Sequence, residues 1–303
     1  MPVPPFHHFM KPYLQLLGDR QIHEVKSIKD QLVANFGLTE ADLSERLSSG
    51  QAVYQNRLNW AKSYLKNSGL LENVTRTTVR ITEQGLMVLK DNPARLDSTY
   101  LMRFPAFVEF STGTRNENDE ITVVNEQTEI TPEEQLEISF NELHKNLAHE
   151  LLSRIMNNSP AFFENLVVEL LVKMGYGGSI QEAGQAIGKS GDEGIDGIIK
   201  EDILGLDTIY LQAKRWQAGK NIGRPELQRF VGALAGKAAS KGIFITTSGF
   251  TREARDYVPM NNIKIVLIDG HQLAQYMIEY SLGVSNTRTY FVKKIDGDYF
   301  EEE

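Results

Sequence analysis

The spacing of apolar residues changes along this 303-residue chain, and that change constrains its fold more than any other feature. In the first ninety residues apolar positions recur at helical spacing, as at Phe9, Tyr13, Leu16 and Leu17. After residue 194 short apolar runs alternate with helical patterns, and the first two runs are adjacent. This order predicts a multidomain protein in which an α domain precedes an α/β domain with a mixed central sheet.

The first ninety residues have the element order of a winged helix-turn-helix. A capping box at residues 39–42 opens a short helix, a longer helix follows from about Gln51 to Asn67, and a hairpin ends near Ile81. A solvated polar face on any small helical domain is the alternative interpretation. We expect Trp60 and Tyr64 to pack in the core. The predicted DNA contacts are Asn56, Arg57, Asn59, Lys62 and Arg76.

Charge is distributed unevenly along the chain, whose formal net charge is −8. Residues 1–90 carry 11 Lys and Arg against 8 Asp and Glu, a net of +3, whereas residues 91–150 carry 4 against 13, a net of −9. A phosphate backbone meets the charge of one domain and not the total, so DNA binding is not excluded. We predict a winged-helix domain at residues 1–95, an acidic linker at 96–131, and an α/β domain at 132–303 that begins with its own helix.

Several classes of protein are excluded or disfavoured. Without cysteine the chain has no disulfide, no thiolate zinc site and no cysteine nucleophile. The six histidines lack zinc-hydrolase spacing, the glycines of 184–190 lack the spacing of a phosphate-binding loop, and Ser248 is not in a nucleophile elbow. No apolar run is long enough for a membrane span and the start does not resemble a secretory signal, so we expect a soluble cytoplasmic protein without a membrane partner.

The strongest candidate for a catalytic site is Asp196 followed by Gln212 and Lys214. Because side chains alternate along a strand, Gln212 and Lys214 share one face with Tyr210. If the neighbouring strand brings Asp196 alongside, a carboxylate, an amide oxygen and an ammonium group converge. The two oxygen ligands suit Mg²⁺, and the lysine suits the negative charge of a phosphate under attack. The alternative is an edge strand with a solvated Lys214.

A second carboxylate should support such a metal site. Glu164 and Glu169 both lie on the helix that follows Ser159-Pro160. At about 100° per residue, Glu164 falls at the border of the apolar face and Glu169 on the solvent side. Glu164 is therefore the predicted second acid. Beyond the next strand, Ser248 and Arg252 could hold backbone phosphates, although a surface loop explains them equally well.

Residues from about 160 to 279 resemble the Mrr family of modification-dependent (type IV) restriction endonucleases, which belong to the PD-(D/E)xK nuclease superfamily. Residues 1–90 also resemble the winged-helix domain that precedes this nuclease domain in the family. The matching stretches are Phe163-Glu164-Asn165-Leu166-Val167, Met174-Gly175-Tyr176-Gly177-Gly178, Gly191-Asp192-Glu193-Gly194-Ile195-Asp196-Gly197-Ile198-Ile199, Tyr210-Leu211-Gln212-Ala213-Lys214-Arg215-Trp216 and Phe244-Ile245-Thr246-Thr247-Ser248-Gly249-Phe250-Thr251.

The resemblance implies a restriction-endonuclease-like α/β sandwich that cleaves double-stranded DNA carrying methylated bases with the help of Mg²⁺. It implies that Asp196 is the metal carboxylate, Gln212 stands in the place of the second acid, Lys214 is the catalytic lysine, and Glu164 is the helix-borne acid. Gln212 departs from the superfamily's general Asp/Glu-x-Lys pattern but fits this subfamily.

Two other functions remain open at this point: a DNA-binding regulator with an inactive nuclease fold, and a repair nuclease that acts on unusual DNA structures. One site acts on one phosphodiester at a time, so a double-strand break needs two chains or two visits. We therefore expect a homodimer or a larger even assembly.

Overall fold

The computed structural model describes residues 3–112, 130–177, 194–201, 207–257, 262–293, 295 and 299. It divides into two compact units, Met1–Glu142 and Leu143–Glu303. The helices are α1 (Phe6–Leu16), α2 (Val25–Asn35), α3 (Glu40–Ser44), α4 (Val53–Asn67), α5 (Glu83–Asp91), α6 (Ser98–Leu101), α7 (Pro105–Thr112), α8 (Pro132–Asn157), α9 (Pro160–Lys173), α10 (Arg224–Gly236), α11 (Arg252–Arg255) and α12 (Gly270–Glu279). The strands are β1 (His23–Glu24), β2 (Leu71–Asn73), β3 (Thr78–Ile81), β4 (Gly197–Lys200), β5 (Thr208–Lys214), β6 (Lys241–Thr246) and β7 (Lys264–Ile268).

The first unit consists of helices beside a small antiparallel sheet in the order β1-β3-β2. The predicted capping box is present at Thr39, whose hydroxyl accepts from the backbone of Asp42 while the Asp42 carboxylate accepts in return. The α4 side chains Leu58, Ala61 and Leu65 are fully buried in the core. Burial of this apolar stripe explains why α4 forms where the helical spacing predicts it.

The predicted boundary at residue 95 is wrong because the first core continues beyond it. Leu96, Leu101 and Phe107 are almost fully buried in that core, two of them on the helices α6 and α7. Residues 96–112 therefore belong to the first unit and not to a linker. Residues 113–129 of the predicted linker lie outside the described part of the chain.

The second unit contains a four-stranded sheet in the order β4-β5-β6-β7. The pair β4 and β5 is antiparallel and the other two pairs are parallel, which confirms the predicted mixed sheet. On β5 the side chains alternate: Leu211 and Ala213 pack in one apolar cluster with Phe163 of α9, whereas Tyr210 packs against another with Phe230 of α10. The central strand is thus covered on both faces, as expected for a largely parallel sheet.

No helix in the described parts of the chain is both long and apolar enough to cross a membrane.

Candidate functional site

The end of β5 carries Gln212 and Lys214 two residues apart, so both project from one face of the strand. Gln212 is 5% exposed, whereas the side chain of Lys214 is 34% exposed. A buried amide beside a partly solvated ammonium group places a polar end on a strand that is otherwise apolar. Such groups are costly to bury without partners. The charged neighbours of Lys214 are Asp196, just before β4, and Glu164 on α9.

Asp196 lies immediately before β4 and contacts the end of β5. Its backbone N–H donates to the carbonyl of Leu211 at 2.8 Å, which continues the antiparallel pairing by one residue. Its carboxylate Oδ2 accepts from the backbone N–H of Ala213 at 2.8 Å and lies 4.0 Å from Lys214 Nζ. The structure therefore brings Asp196, Gln212 and Lys214 together, as the strand pattern predicted.

Glu164 on α9 lies close enough to this group to interact with its charges. Burial raises the pKa of the Glu164 carboxyl, the negative charge of Asp196 raises that pKa further, and Lys214 opposes both effects. Two carboxylates that destabilise each other's charge are the arrangement that a divalent cation relieves.

The donor set fits a hard cation that retains some water. Two carboxylates and the amide of Gln212 supply oxygen ligands, which Mg²⁺ prefers. Within the described ranges no three or more His, Cys, Asp or Glu side chains form a group that could hold a metal ion.

Two neighbours of the site were not singled out by the sequence pattern. Gly194 has φ +97°, a conformation that is unfavourable for residues with a Cβ atom, and a Cβ atom there would lie 2.9 Å from Gln212 Nε2, so the amide would have to shift. The hydroxyl of the fully buried Thr246 donates to the carbonyl of Lys214 at 2.8 Å and ties the end of β5 to β6. A glycine two residues before a polar residue that directly precedes a strand is a signal that could have revealed Gly194.

Some of the predicted DNA contacts on α4 are covered in the structure and others are exposed. Asn56 is only 2% exposed, and its Oδ1 accepts from Thr131 Oγ1 at 2.6 Å. Arg57 donates to Glu134 Oε1 at 3.0 Å through Nε and at 2.7 Å through Nη2. The prediction that both residues lie on an exposed face is wrong, because residues 131–134 of the same unit cover them.

Other predicted contacts remain at the surface. Asn59 is exposed, Lys62 is partly exposed, and Arg76 is exposed in the turn between β2 and β3. Trp60 and Tyr64 pack against the first core, as expected. Trp60 also donates from Nε1 to Glu133 Oε2 at 2.5 Å.

The two predicted phosphate contacts after β6 also differ in exposure. Ser248 is 8% exposed, and its hydroxyl donates to the carbonyl of Lys220 at 2.8 Å, so it stabilises a loop and is not presented to a ligand. Arg252 is almost fully exposed and pairs with Asp256 at 3.6 Å. Only Arg252 is positioned to reach a phosphate.

Two solved structures share limited similarity with this chain. The DNA modification-dependent restriction endonuclease AspBHI is 20% identical, with a TM-score of 0.35 over 46% of this chain and 36% of its own. The MspJI restriction endonuclease in complex with a 27-mer oligonucleotide is 18% identical, with a TM-score of 0.32 over 66% of this chain and 48% of its own. The chain thus spans less than half the length of each, and scores of this size do not establish a shared fold.

Sequence comparisons give a firmer result. The restriction endonuclease family profile matches residues 155–277, and the profile of the Mrr N-terminal domain matches residues 6–91. The type IV methyl-directed restriction enzyme EcoKMrr of Escherichia coli strain K12 is 37% identical, over 99% of this chain and 100% of its own length. This chain belongs to the Mrr family of restriction endonucleases.

Proposed function

We propose that this protein is a Mg²⁺-dependent endonuclease that hydrolyses phosphodiester bonds in double-stranded DNA carrying methylated bases. Full-length similarity to a methyl-directed restriction enzyme supports the substrate class. Restriction endonucleases generally depend on a divalent metal. The proposed role is the restriction of foreign modified DNA in the cytoplasm.

One observation carries the proposal: Asp196, Gln212, Lys214 and Glu164 come from three elements and converge at one end of the sheet. The 4.0 Å approach of Lys214 Nζ to Asp196 Oδ2 and the raised pKa of Glu164 are the geometric and electrostatic evidence for it. A solvated lysine at an edge strand, the alternative left open by the sequence, would have neither neighbour. The lysine also lies on β5, an inner strand of the sheet.

Each residue has a distinct role in the proposed reaction. Asp196, Gln212 and Glu164 would hold Mg²⁺, which when bound polarises the phosphate and makes a bound water more acidic. Lys214 stabilises the negative charge that accumulates on the phosphate oxygens. The hydrogen bond from Ala213 N–H keeps the Asp196 carboxylate in one orientation, and the missing side chain at Gly194 leaves space for the Gln212 amide.

The first unit is the proposed DNA-binding domain, with a winged helix-turn-helix formed by α2, α3, α4 and the β2–β3 hairpin. Asn59, Lys62 and Arg76 are the proposed contacts in this unit, and Arg252 is a proposed phosphate contact in the second. The proposed acidic linker is now confined to about residues 113–129, which precede Thr131 and helix α8 in the chain.

The test uses methylated and unmethylated copies of one plasmid, incubated with protein and Mg²⁺ or with a chelator. We expect cleavage of the methylated plasmid only, and only with the metal. Lys214→Ala serves as the matched inactive variant. Binding of DNA without any cleavage would support a regulator with an inactive fold, and cleavage of branched or damaged DNA irrespective of methylation would support a repair nuclease.

The proposed active form is a homodimer or a larger even assembly, because each chain offers one site and a duplex has two strands. Light scattering of the protein on DNA, combined with the dependence of double-strand cleavage on protein concentration, tests this. A monomer that cuts both strands with first-order dependence on protein would refute it.

A further inference from the structure

Helix α4 presents two polar faces that differ in what lies against them. At about 100° per residue, the buried residues Leu58, Ala61 and Leu65 share one side of the helix. Asn56, Arg57 and Trp60 lie to one side of that stripe, and Asn59, Lys62 and Lys66 lie to the other. The helix therefore has a core side and two separate polar sides.

The face of Asn56, Arg57 and Trp60 is occupied by the beginning of α8 and the residue before it. Glu134 accepts from Arg57, Glu133 accepts from Trp60, and Thr131 donates to Asn56. The Arg57 and Glu134 side chains are only 15% and 9% exposed. An arginine already bound by a buried carboxylate has no free donor edge for a phosphate.

The other face carries positive charge that meets no carboxylate partner in the part of the chain that the structure describes. Lys29 of α2 donates from Nζ to Asn59 Oδ1 at 2.6 Å, which brings α2 and α4 together there. We call Lys29, Asn59, Lys62 and Lys66 the lysine cluster. Among the described residues none of its three lysines has a carboxylate oxygen within 4.0 Å, unlike Arg57 or Arg80.

The lysines of this cluster also destabilise one another's charge. Burial lowers the pKa of the Lys62 ammonium group, and the positive charges of Lys29 and Lys66 lower that pKa further. Burial likewise lowers the pKa of Lys29. Partly desolvated cations without counter-charges favour an anionic ligand, because the ligand removes the repulsion that folding leaves in place.

We propose that the lysine cluster binds backbone phosphates of the DNA and that duplex DNA therefore approaches α4 from the Lys62 side and not from the Arg57 side. This inference rests on the proposed function and adds Lys29 and Lys66 to its contacts. Phosphates are the anions that a duplex presents in a regular row, and two neighbouring helices can each contribute cations to such a row.

The test measures binding of full-length protein to a fluorescent duplex by anisotropy, without divalent metal, at several salt concentrations. The double variant Lys29→Gln, Lys62→Gln should bind at least tenfold more weakly at low salt. Its dependence of log affinity on log salt should be shallower by about 2, since each lost phosphate contact removes about 0.9. The control Lys90→Gln removes one positive charge from an exposed position on α5, outside the cluster, and should change affinity less than twofold.

Two further measurements separate phosphate binding from a structural role. The thermal unfolding midpoint of the double variant should be unchanged or higher than that of the wild type, because the substitution removes repulsion. Lys62→Arg retains the charge and should retain the affinity. A double variant with the affinity and salt dependence of Lys90→Gln would overturn the inference, and so would a loss of affinity without a change in salt dependence.

The same preparations are assayed for cleavage of methylated plasmid with Mg²⁺. If the wild type cuts and the double variant binds normally, the proposed role of the lysine cluster in DNA binding is wrong and the proposed function stands. If the wild type does not cut but the double variant loses binding, the cluster stands and the proposed function is wrong.

Discussion

The sequence pattern predicted which residues lie together at the end of β5, but it did not predict which residues of α4 are covered. At the end of β5 the predicted residues come together. Asp196 Oδ2 lies 4.0 Å from Lys214 Nζ and accepts from the N–H of Ala213, which lies between Gln212 and Lys214. Glu164 interacts electrostatically with Asp196 and Lys214. On α4, the four predicted contacts are divided between two faces, and one pair is covered by residues 131–134.

The difference has a geometric cause. A strand has two faces, and pairing with its neighbours allows little freedom once one face is packed in the core, so Gln212 and Lys214 had to share a face. A helix has an apolar stripe and a wide remaining surface, and its sequence does not say which part of that surface another segment will cover. Thr131 follows Asn56 by 75 residues and still determines its environment.

The largest effect is expected at the strand site. Lys214→Ala should reduce cleavage at least 100-fold, about 2.7 kcal/mol, because it removes the charge that stabilises the reacting phosphate. DNA affinity and the unfolding midpoint should change little. Single-turnover cleavage measures the loss, and Lys264→Ala, exposed at the start of β7, is the matched control. A Lys214→Ala protein that cuts at the wild-type rate would show that the site is elsewhere.

Substitutions on the covered face of α4 should lower the stability of the first unit and leave DNA affinity unchanged. Arg57→Met removes the positively charged partner of Glu134 and should lower the free energy of unfolding of the first unit by about 2 kcal/mol. This is less than for a fully buried pair, because both side chains retain some contact with water. The chain has two tryptophans, so in a Trp216→Phe background Trp60 fluorescence reports urea unfolding of this unit alone.

A double-mutant cycle with Glu134→Gln isolates the energy of the Arg57–Glu134 pair. If Arg57→Met left stability unchanged but weakened DNA binding strongly, α4 would bind DNA through the face that the structure shows as covered.

The two acids of α9, Glu164 and Glu169, should differ in their effect on the Mg²⁺ dependence of cleavage. Glu164→Gln should raise the Mg²⁺ concentration needed for half-maximal cleavage about tenfold, since an amide neutralises the cation less than a carboxylate. Glu169→Gln makes the same change on the same helix and should leave the Mg²⁺ dependence unchanged. Equal responses of the two variants would remove Glu164 from the site.

The smallest effect concerns the space around Gln212. Gly194→Ala should reduce cleavage about fivefold, roughly 1 kcal/mol, because its Cβ must displace the Gln212 amide and because φ +97° is unfavourable for alanine. Gly236→Ala at the end of α10 meets no atom within 4 Å and should be neutral. Full activity of Gly194→Ala would mean that the position of the amide does not matter.

The local sequence was sufficient to predict features that depend on one helix or one strand alone. Thr131 and Glu134 form a capping box at the start of α8, in which Thr131 N–H donates to Glu134 Oε2 at 2.8 Å and Thr131 Oγ1 accepts from Glu134 N–H at 3.3 Å. The apolar face of α9 distinguished Glu164 from Glu169, and side-chain alternation on β5 paired Gln212 with Lys214. These features depend on a helical turn or a strand period, which neighbouring residues define alone.

Tertiary structure decided the features that depend on distant segments. Leu96, Leu101 and Phe107 have no long apolar pattern around them, and only packing against the first core shows that they belong to that unit. The sequence around Ser248 suggests a surface hydroxyl, but Ser248 is buried and donates a hydrogen bond to the carbonyl of Lys220. Lys29 of α2 lies near Lys62 only because it reaches Asn59 of α4 in the folded structure. The physical reason is common to all three: burial and charge contact are properties of pairs of surfaces, and a linear sequence specifies each surface without naming its partner.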